Sequence, residues 1–152
     1  MVTNTEKSVA DHYTRGSLLE TILNGMKKAG KSVDSIQHED LASLDEFHLG
    51  GREATRHFLG QMGLTREMSV LDIGCGLGGA ARFCAIEYGS ILSGIDLTQE
   101  FIETGKTLTS WLKMDDLISL KQGSALELPL EDSSFDAAYM MHVGMNIPDK
   151  AK

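Results

Sequence analysis

The stretch VLDIGCGLGG, Val70 to Gly79, constrains this chain more than any other. A short apolar run interrupted by Asp72 enters a cluster of glycines, and helical spacing follows from Gly79 to Tyr88. In that order the residues match G-x-G-x-x-G through Gly74, Gly76 and Gly79, in the strand, turn and helix setting that the motif requires. Gly74 permits the tight turn. Gly76 removes the side chain that would stand between the backbone and a ligand, and Gly78 or Gly79 lets the helix pack close. The pattern alone fits a dinucleotide site, a site for another nucleoside cofactor, or a turn with only a structural role.

The rest of the chain says what this unit belongs to. Ile91 to Ile95, Leu117 to Lys121 and Phe135 to Met141 read as further strands, and Gln99 to Met114 as a long helix carrying Phe101, Ile102, Leu108 and Leu112 on one side. Alternating strands and helices predict an α/β fold: a Rossmann-like three-layer sandwich, with a parallel sheet and helices on both faces. Ahead of it, residues 1–65 read as a helical N-terminal extension, a lid or cap on the domain of residues 66–152. Its predicted helices are Arg15 to Lys28, Glu39 to Phe47 and Glu53 to Met62.

Composition narrows the partners. A formal charge of -8 with no Lys/Arg cluster disfavours nucleic acid. No apolar stretch is long enough for a membrane span, and the N-terminus lacks the basic-then-apolar pattern of an export signal, which predicts a cytoplasmic protein. Cys75 and Cys84 flank one turn, where a disulfide would be strained, and read as reduced thiols. No His, Cys or acidic spacing calls for a metal.

Two acids separate the ligand classes. Asp72 lies two residues before Gly74, so strand alternation directs its carboxylate toward the crevice at the carboxyl ends of the strands. A pyrophosphate would be repelled there, whereas a ligand with an ammonium and a sulfonium would be attracted, which favours S-adenosylmethionine over a nicotinamide dinucleotide. Asp96, closing SGIDL, has the spacing of an acid that accepts from both ribose hydroxyls; its competing reading is a helix N-cap.

Together, Asp72 with GCGLGG, Asp96 with GIDLT, GSALELPL and FDAAYMMHVGMNIPDK resemble the motif series of class I S-adenosylmethionine-dependent methyltransferases. Within that class the similarity is to the small-molecule branch containing ubiquinone/menaquinone and sarcosine/dimethylglycine methyltransferases. LDEFHLGGREAT, Leu44 to Thr55, also looks like the lead-in of some members of that branch. The resemblance implies that Asp72, Gly74, Cys75 and Gly76 hold the methionine end of the cofactor, and that Asp96 and Leu97 bracket ribose and adenine. It implies that Ser124, Ala125 and Leu126 read the adenine edge and that S-adenosylhomocysteine is the product. Ser124 departs from the family, which has an acid there, so the adenine amino group would lose a charge-assisted partner.

His142, just after the fourth strand, occupies the position that borders sulfonium and substrate in the family. It is the candidate to orient a small-molecule acceptor or take its proton, and a purely structural histidine is the alternative. His12, Tyr13, His48, Gly50 and Gly51 are lid candidates, Tyr13 also as a cofactor contact. The family sheet has seven strands, so this sequence reads as its N-terminal part, lacking much of the substrate wall. It would leave the fourth strand as an edge, covered by further chain or by a second copy in a homodimer. A non-catalytic nucleoside-binding or assembly module is the alternative to an enzyme.

Overall fold

The computed structural model describes residues 4–14, 16–45, 48–147 and 149. Helix α1 (Asn4–Tyr13) comes first, in a segment too polar to carry an apolar stripe, and sequence periodicity did not predict it. Helix α2 (Leu18–Lys28) follows, starting later than expected because Gly16 turns the chain with φ +75°. The helix expected over Glu39 to Phe47 is instead a 3-10 turn, His38–Leu41, running into one α-turn, α3 (Ala42–Asp45); Phe47 lies outside the described residues. Helix α4 (Gly51–Leu59) begins two residues before its predicted start and stops short of Met62.

Four parallel strands come next: β1 (Ser69–Ile73), β2 (Ile91–Asp96), β3 (Ile118–Gln122) and β4 (Ala137–Met140), in the order β3-β2-β1-β4. Helix α5 (Gly79–Tyr88) crosses from β1 to β2, and α6 (Gln99–Trp111) from β2 to β3. Both crossovers step the same way across the sheet. Right-handed connections therefore place both helices on one face. On it Val70, Leu92, Ile118, Leu120 and Tyr139 pack against Ala81, Phe83, Cys84 and Ala85 of α5 and Ile102 of α6. The opposite face, where helices were also expected, buries Leu71 and Ile95 but exposes Ser119, Lys121, Ala138 and Met140. No described helix is long and apolar enough to cross a membrane.

The N-terminal helices are tied to the sheet domain by an ion pair. Arg82, the single charge in the buried stretch of α5, donates through Nε and Nη2 to the Asp45 carboxylate, and neither side chain is exposed to solvent. Its Nη1 donates to Thr109 Oγ1 at 3.0 Å and to the Gly105 carbonyl at 3.3 Å. Gly79 belongs to the same joint, since a Cβ there would lie 2.4 Å from the Asp45 carbonyl oxygen. His38 also faces Asp45, and burial, with Arg52 beside the ring, holds its pKa below the usual value. Arg82 is therefore the cation that balances Asp45. Ile22, Ile36, Leu41 and Leu108 form a second core between α2 and α6.

Candidate functional site

The parallel order sends β1, β2 and β3 to one common edge at their carboxyl ends, where ligands bind in such sheets. The glycine turn is wound onto β2: the backbone N–H groups of Gly74 and Cys75 both donate to the Ile95 carbonyl, at 2.7 and 3.0 Å. Gly74 needs its glycine twice, for φ +76° and because a Cβ would lie 2.5 Å from Val143 Cγ1. At Gly76, φ is +54°, yet a Cβ would meet nothing within 4 Å. The space above Gly76 is open, which is what close approach of a ligand to bare backbone requires.

Asp96 closes this cradle. Its Oδ2 accepts from the Gly76 N–H at 2.9 Å and its Oδ1 from the Thr98 N–H at 2.9 Å. The Thr98 side chain is a third partner, and of the roughly four lone-pair positions of a carboxylate one is left to accept from a ligand hydroxyl. Burial raises its pKa, opposed by the Thr98 and Gly76 hydrogen bonds. The N-cap of α6 is Thr98 rather than Asp96, whose Oδ1 takes the amide of that N-cap residue.

Asp72 is placed differently from the sequence expectation. Register sets it opposite Tyr139 on β4, whose hydroxyl donates to Asp72 Oδ2 at 2.9 Å. The carboxyl is 2% exposed, beneath the crevice rather than open to it. Burial pushes its pKa up to about 7, with the Tyr139 hydrogen bond pulling down and the Asp96 charge adding to the rise. Near neutrality it is poised between the neutral and the charged form.

Cys75 turns its side chain under the loop, so close to β2 that a Cβ on Gly94 would lie 2.7 Å from its sulfur. Burial holds the thiol well above its ordinary pKa, leaving it neutral, while the Cys75 N–H is spent on the Ile95 carbonyl and its own carbonyl accepts from the Gly78 N–H at 2.8 Å. Leu97 is half-buried, its carbonyl taken by Gln122 Nε2 at 2.9 Å. Ser124 is buried, while Ala125 and Leu126 are half-buried beside it. The Ser124 hydroxyl accepts from the Leu126 N–H at 3.0 Å and donates to the carboxylate of Glu6 from α1, a residue the sequence reading did not single out. Tyr13 packs its ring 5.9 Å from that of Phe101 at the start of α6.

His142 is exposed, with φ +58°, just beyond β4. Its ring stacks on that of His48, 4.7 Å between centroids and 11° between planes, and His48 Nε2 lies 3.1 Å from Thr55 Oγ1. Among the described residues no group of three or more His, Cys, Asp or Glu side chains is arranged to hold a metal. The structure thus brings Gly74, Gly76, Asp96, Leu97, Ser124 and Tyr13 to one edge, places Asp72 and the Cys75 thiol below it, and sets His142 with His48 near the Gly74 end. Besides Glu6, the sequence reading missed Tyr139, Arg82 and Asp45. A lone arginine within AARFCAI was the available signal for the buried pair.

A parallel sheet with an open glycine backbone and an acid at the tip of the neighbouring strand is the arrangement of α/β domains that take nucleotide-type ligands at the carboxyl ends of their strands. Residues 71–152 match the family described as Methyltransferase domain; this is more than half of the chain, which belongs to that family. A tocopherol O-methyltransferase of Arabidopsis thaliana is 35% identical over 83 residues, 55% of this chain and 24% of the relative. A glycine/sarcosine/dimethylglycine N-methyltransferase of Actinopolyspora halophila is 26% identical over 114 residues, 75% of this chain and 19% of the relative. Among solved structures, phosphoethanolamine N-methyltransferase 2 of Haemonchus contortus, in complex with S-adenosyl-L-methionine, aligns with a TM-score of 0.56 at 28% identity, covering 60% of this chain and 21% of that one. The chain spans about a quarter or less of the length of each of these three proteins. The family match takes in the glycine turn, Asp96, the loop after β3, and β4; Glu6 and Asp45 lie outside it.

Proposed function

We propose that this chain carries the S-adenosylmethionine site of a methyltransferase acting on a small-molecule acceptor. The observation that carries the reading is the pairing of open space over Gly76 with Asp96, whose two oxygens are fixed on the Gly76 and Thr98 backbone N–H groups beside it. Gly74, Gly76 and the Cys75 backbone would hold the amino-acid end. Asp96 would take a ribose hydroxyl, and Leu97, Ser124, Ala125, Leu126 and Tyr13 would enclose the base. Asp72, beneath the glycine turn, would act from below by taking up negative charge as the ligand's ammonium arrives.

The cofactor supplies an electrophilic methyl group, and no nucleophilic side chain of the protein is needed. What the chain contributes is alignment and exclusion of water, which together are worth several kcal/mol, of the order of 7 or more where alignment is good. His142, exposed and braced by the His48 ring, is the acceptor-facing group in this reading, able to orient an acceptor or take its proton. The formal charge of -8 suits a small acceptor better than a polyanion, and buried neutral thiols suit a reducing, cytoplasmic setting. Pairing of two copies along β4 belongs to the same reading.

Calorimetric titration with S-adenosylmethionine and S-adenosylhomocysteine, beside an NAD control and Asp96→Ala, tests the proposal. Saturable binding of both adenosyl ligands, lost or much weakened in the variant, is expected. Preference for NAD, or undiminished binding by Asp96→Ala, would refute it.

A further inference from the structure

We infer that Tyr139, on β4, is a positioning residue for the amino-acid end of the cofactor, its hydroxyl holding Asp72 ready to answer the ligand's ammonium. The inference rests on the S-adenosylmethionine reading above and deepens it at the floor of the site.

Parallel register puts the two side chains on one face of adjacent strands, where the Tyr139 hydroxyl donates to Asp72 Oδ2 at 2.9 Å. Both residues are buried. The phenol ring is held from the side of the N-terminal segment, because Phe58 of α4 meets it edge-on with 6.2 Å between centroids and 75° between planes. Burial and the Asp72 charge also push the phenol pKa well above its usual value. Tyr139 therefore stays a donor through the whole range in which Asp72 titrates.

The other surroundings of Asp72 do not support its charge. Burial and the Asp96 carboxylate on β2 oppose ionisation, and the neighbouring thiols of Cys75 and Cys84 are neutral. Among the described residues the Tyr139 hydroxyl is the one group that favours the charged form. Asp45 shows the contrast: a buried carboxylate with a structural task has a guanidinium of its own, here that of Arg82. Asp72 has a single neutral donor instead, so its charge is left to be completed by a cation from above the glycine turn. Without the hydroxyl, the ligand's ammonium would have to displace the proton of Asp72 unaided.

The test is calorimetric titration of wild type and Tyr139→Phe with S-adenosylhomocysteine and its desamino analogue, in which hydrogen replaces the amino group. A hydrogen bond to a charged group shifts an ionisation equilibrium about ten- to a hundredfold. With Asp72 about half ionised near pH 7, Tyr139→Phe should bind S-adenosylhomocysteine about five- to fiftyfold more weakly there, and the gap should shrink toward a pH of about 8.5. The ligand's own ionisation is common to both proteins and cancels in the ratio. Proton release on binding near pH 7 should grow from about half toward one. The desamino analogue brings no ammonium, so its affinity should change by less than about twofold, as should that of S-adenosylhomocysteine when Tyr139→Phe is added to Asp72→Asn. In the wild type itself, preference for the amino ligand should strengthen severalfold between about pH 6 and about pH 7.5. A flat preference, or a Tyr139→Phe chain that weakens both ligands by the same factor at every pH, would overturn the inference and leave Tyr139 as a packing residue while the cofactor reading stands. A wild type that binds neither ligand would remove the cofactor reading and this inference with it.

Discussion

Replacing Asp72 by Asn removes a titrating group from the core while keeping its shape and an acceptor for the Tyr139 hydroxyl. In the unfolded chain the carboxyl titrates near 3.8; in the folded protein burial moves it to about 7. Below the lower value the group is protonated in both states and has no preference. Between the two values the unfolded chain releases its proton while the folded protein retains it, so ionisation favours unfolding and stability falls as pH rises. A gap of about 3 units at about 1.36 kcal/mol each gives roughly 4 kcal/mol, fully developed above neutrality. Urea unfolding followed by far-ultraviolet circular dichroism and by the emission of Trp111, the single tryptophan, would measure it between pH 4 and 8. The unfolding free energy of Asp72→Asn minus that of the wild type should climb by about 4 kcal/mol across this range. Asp96, whose pKa burial also raises, is present in both proteins and cancels to first order. A difference that stays flat with pH would refute the reasoning and show an Asp72 carboxylate that ionises with ordinary ease inside the fold.

The same carboxyl should report on the ligand: binding of S-adenosylmethionine near pH 7, where the group is about half protonated, should release up to about half a proton as the ammonium stabilises the charged form, seen as a buffer-dependent enthalpy in calorimetry. Arg82→Met strands a buried Asp45 and should cost about 3–5 kcal/mol in urea unfolding, most of it recovered in the double variant with Asp45→Leu. The two glycines of the turn should separate by assay. Gly74→Ala combines a positive φ with a collision against Val143 and should lower stability by more than the ~1–3 kcal/mol of backbone strain alone. Gly76→Ala has open space and should cost only about 1–2 kcal/mol of strain, yet lose adenosyl-ligand binding.

What could be read in advance was local. β1 and α5 fall where periodicity and the glycines put them, because strand alternation, turn and helix spacing each need only a few neighbouring residues. Asp96 was legible because its distance from Gly76 is fixed by one crossover. The partners that decide the chemistry are not local. Tyr139 reaches Asp72 across 67 residues through parallel register, Arg82 finds Asp45 across 37, and Glu6 meets Ser124 across 118. Nothing in the alternation of β1 shows that a phenol on another strand will cover Asp72. Nor does a polar segment such as Asn4 to Tyr13 show that it will form a helix whose buried Glu6 meets Ser124 from the far side of the sequence.

The Ile95 carbonyl, which accepts the amides of both Gly74 and Cys75, ties the glycine turn to the centre of the sheet, and the Asp96 carboxylate adds the amide of Gly76. Three successive amides of a glycine-rich segment are thus held by β2 itself. Those amides should exchange with deuterium as slowly as the strand interiors, and the conformational entropy of ordering the turn is met during folding rather than at encounter. A ligand arriving at this edge meets a finished surface, and differences in affinity among ligands then reflect their fit to it rather than the work of shaping it.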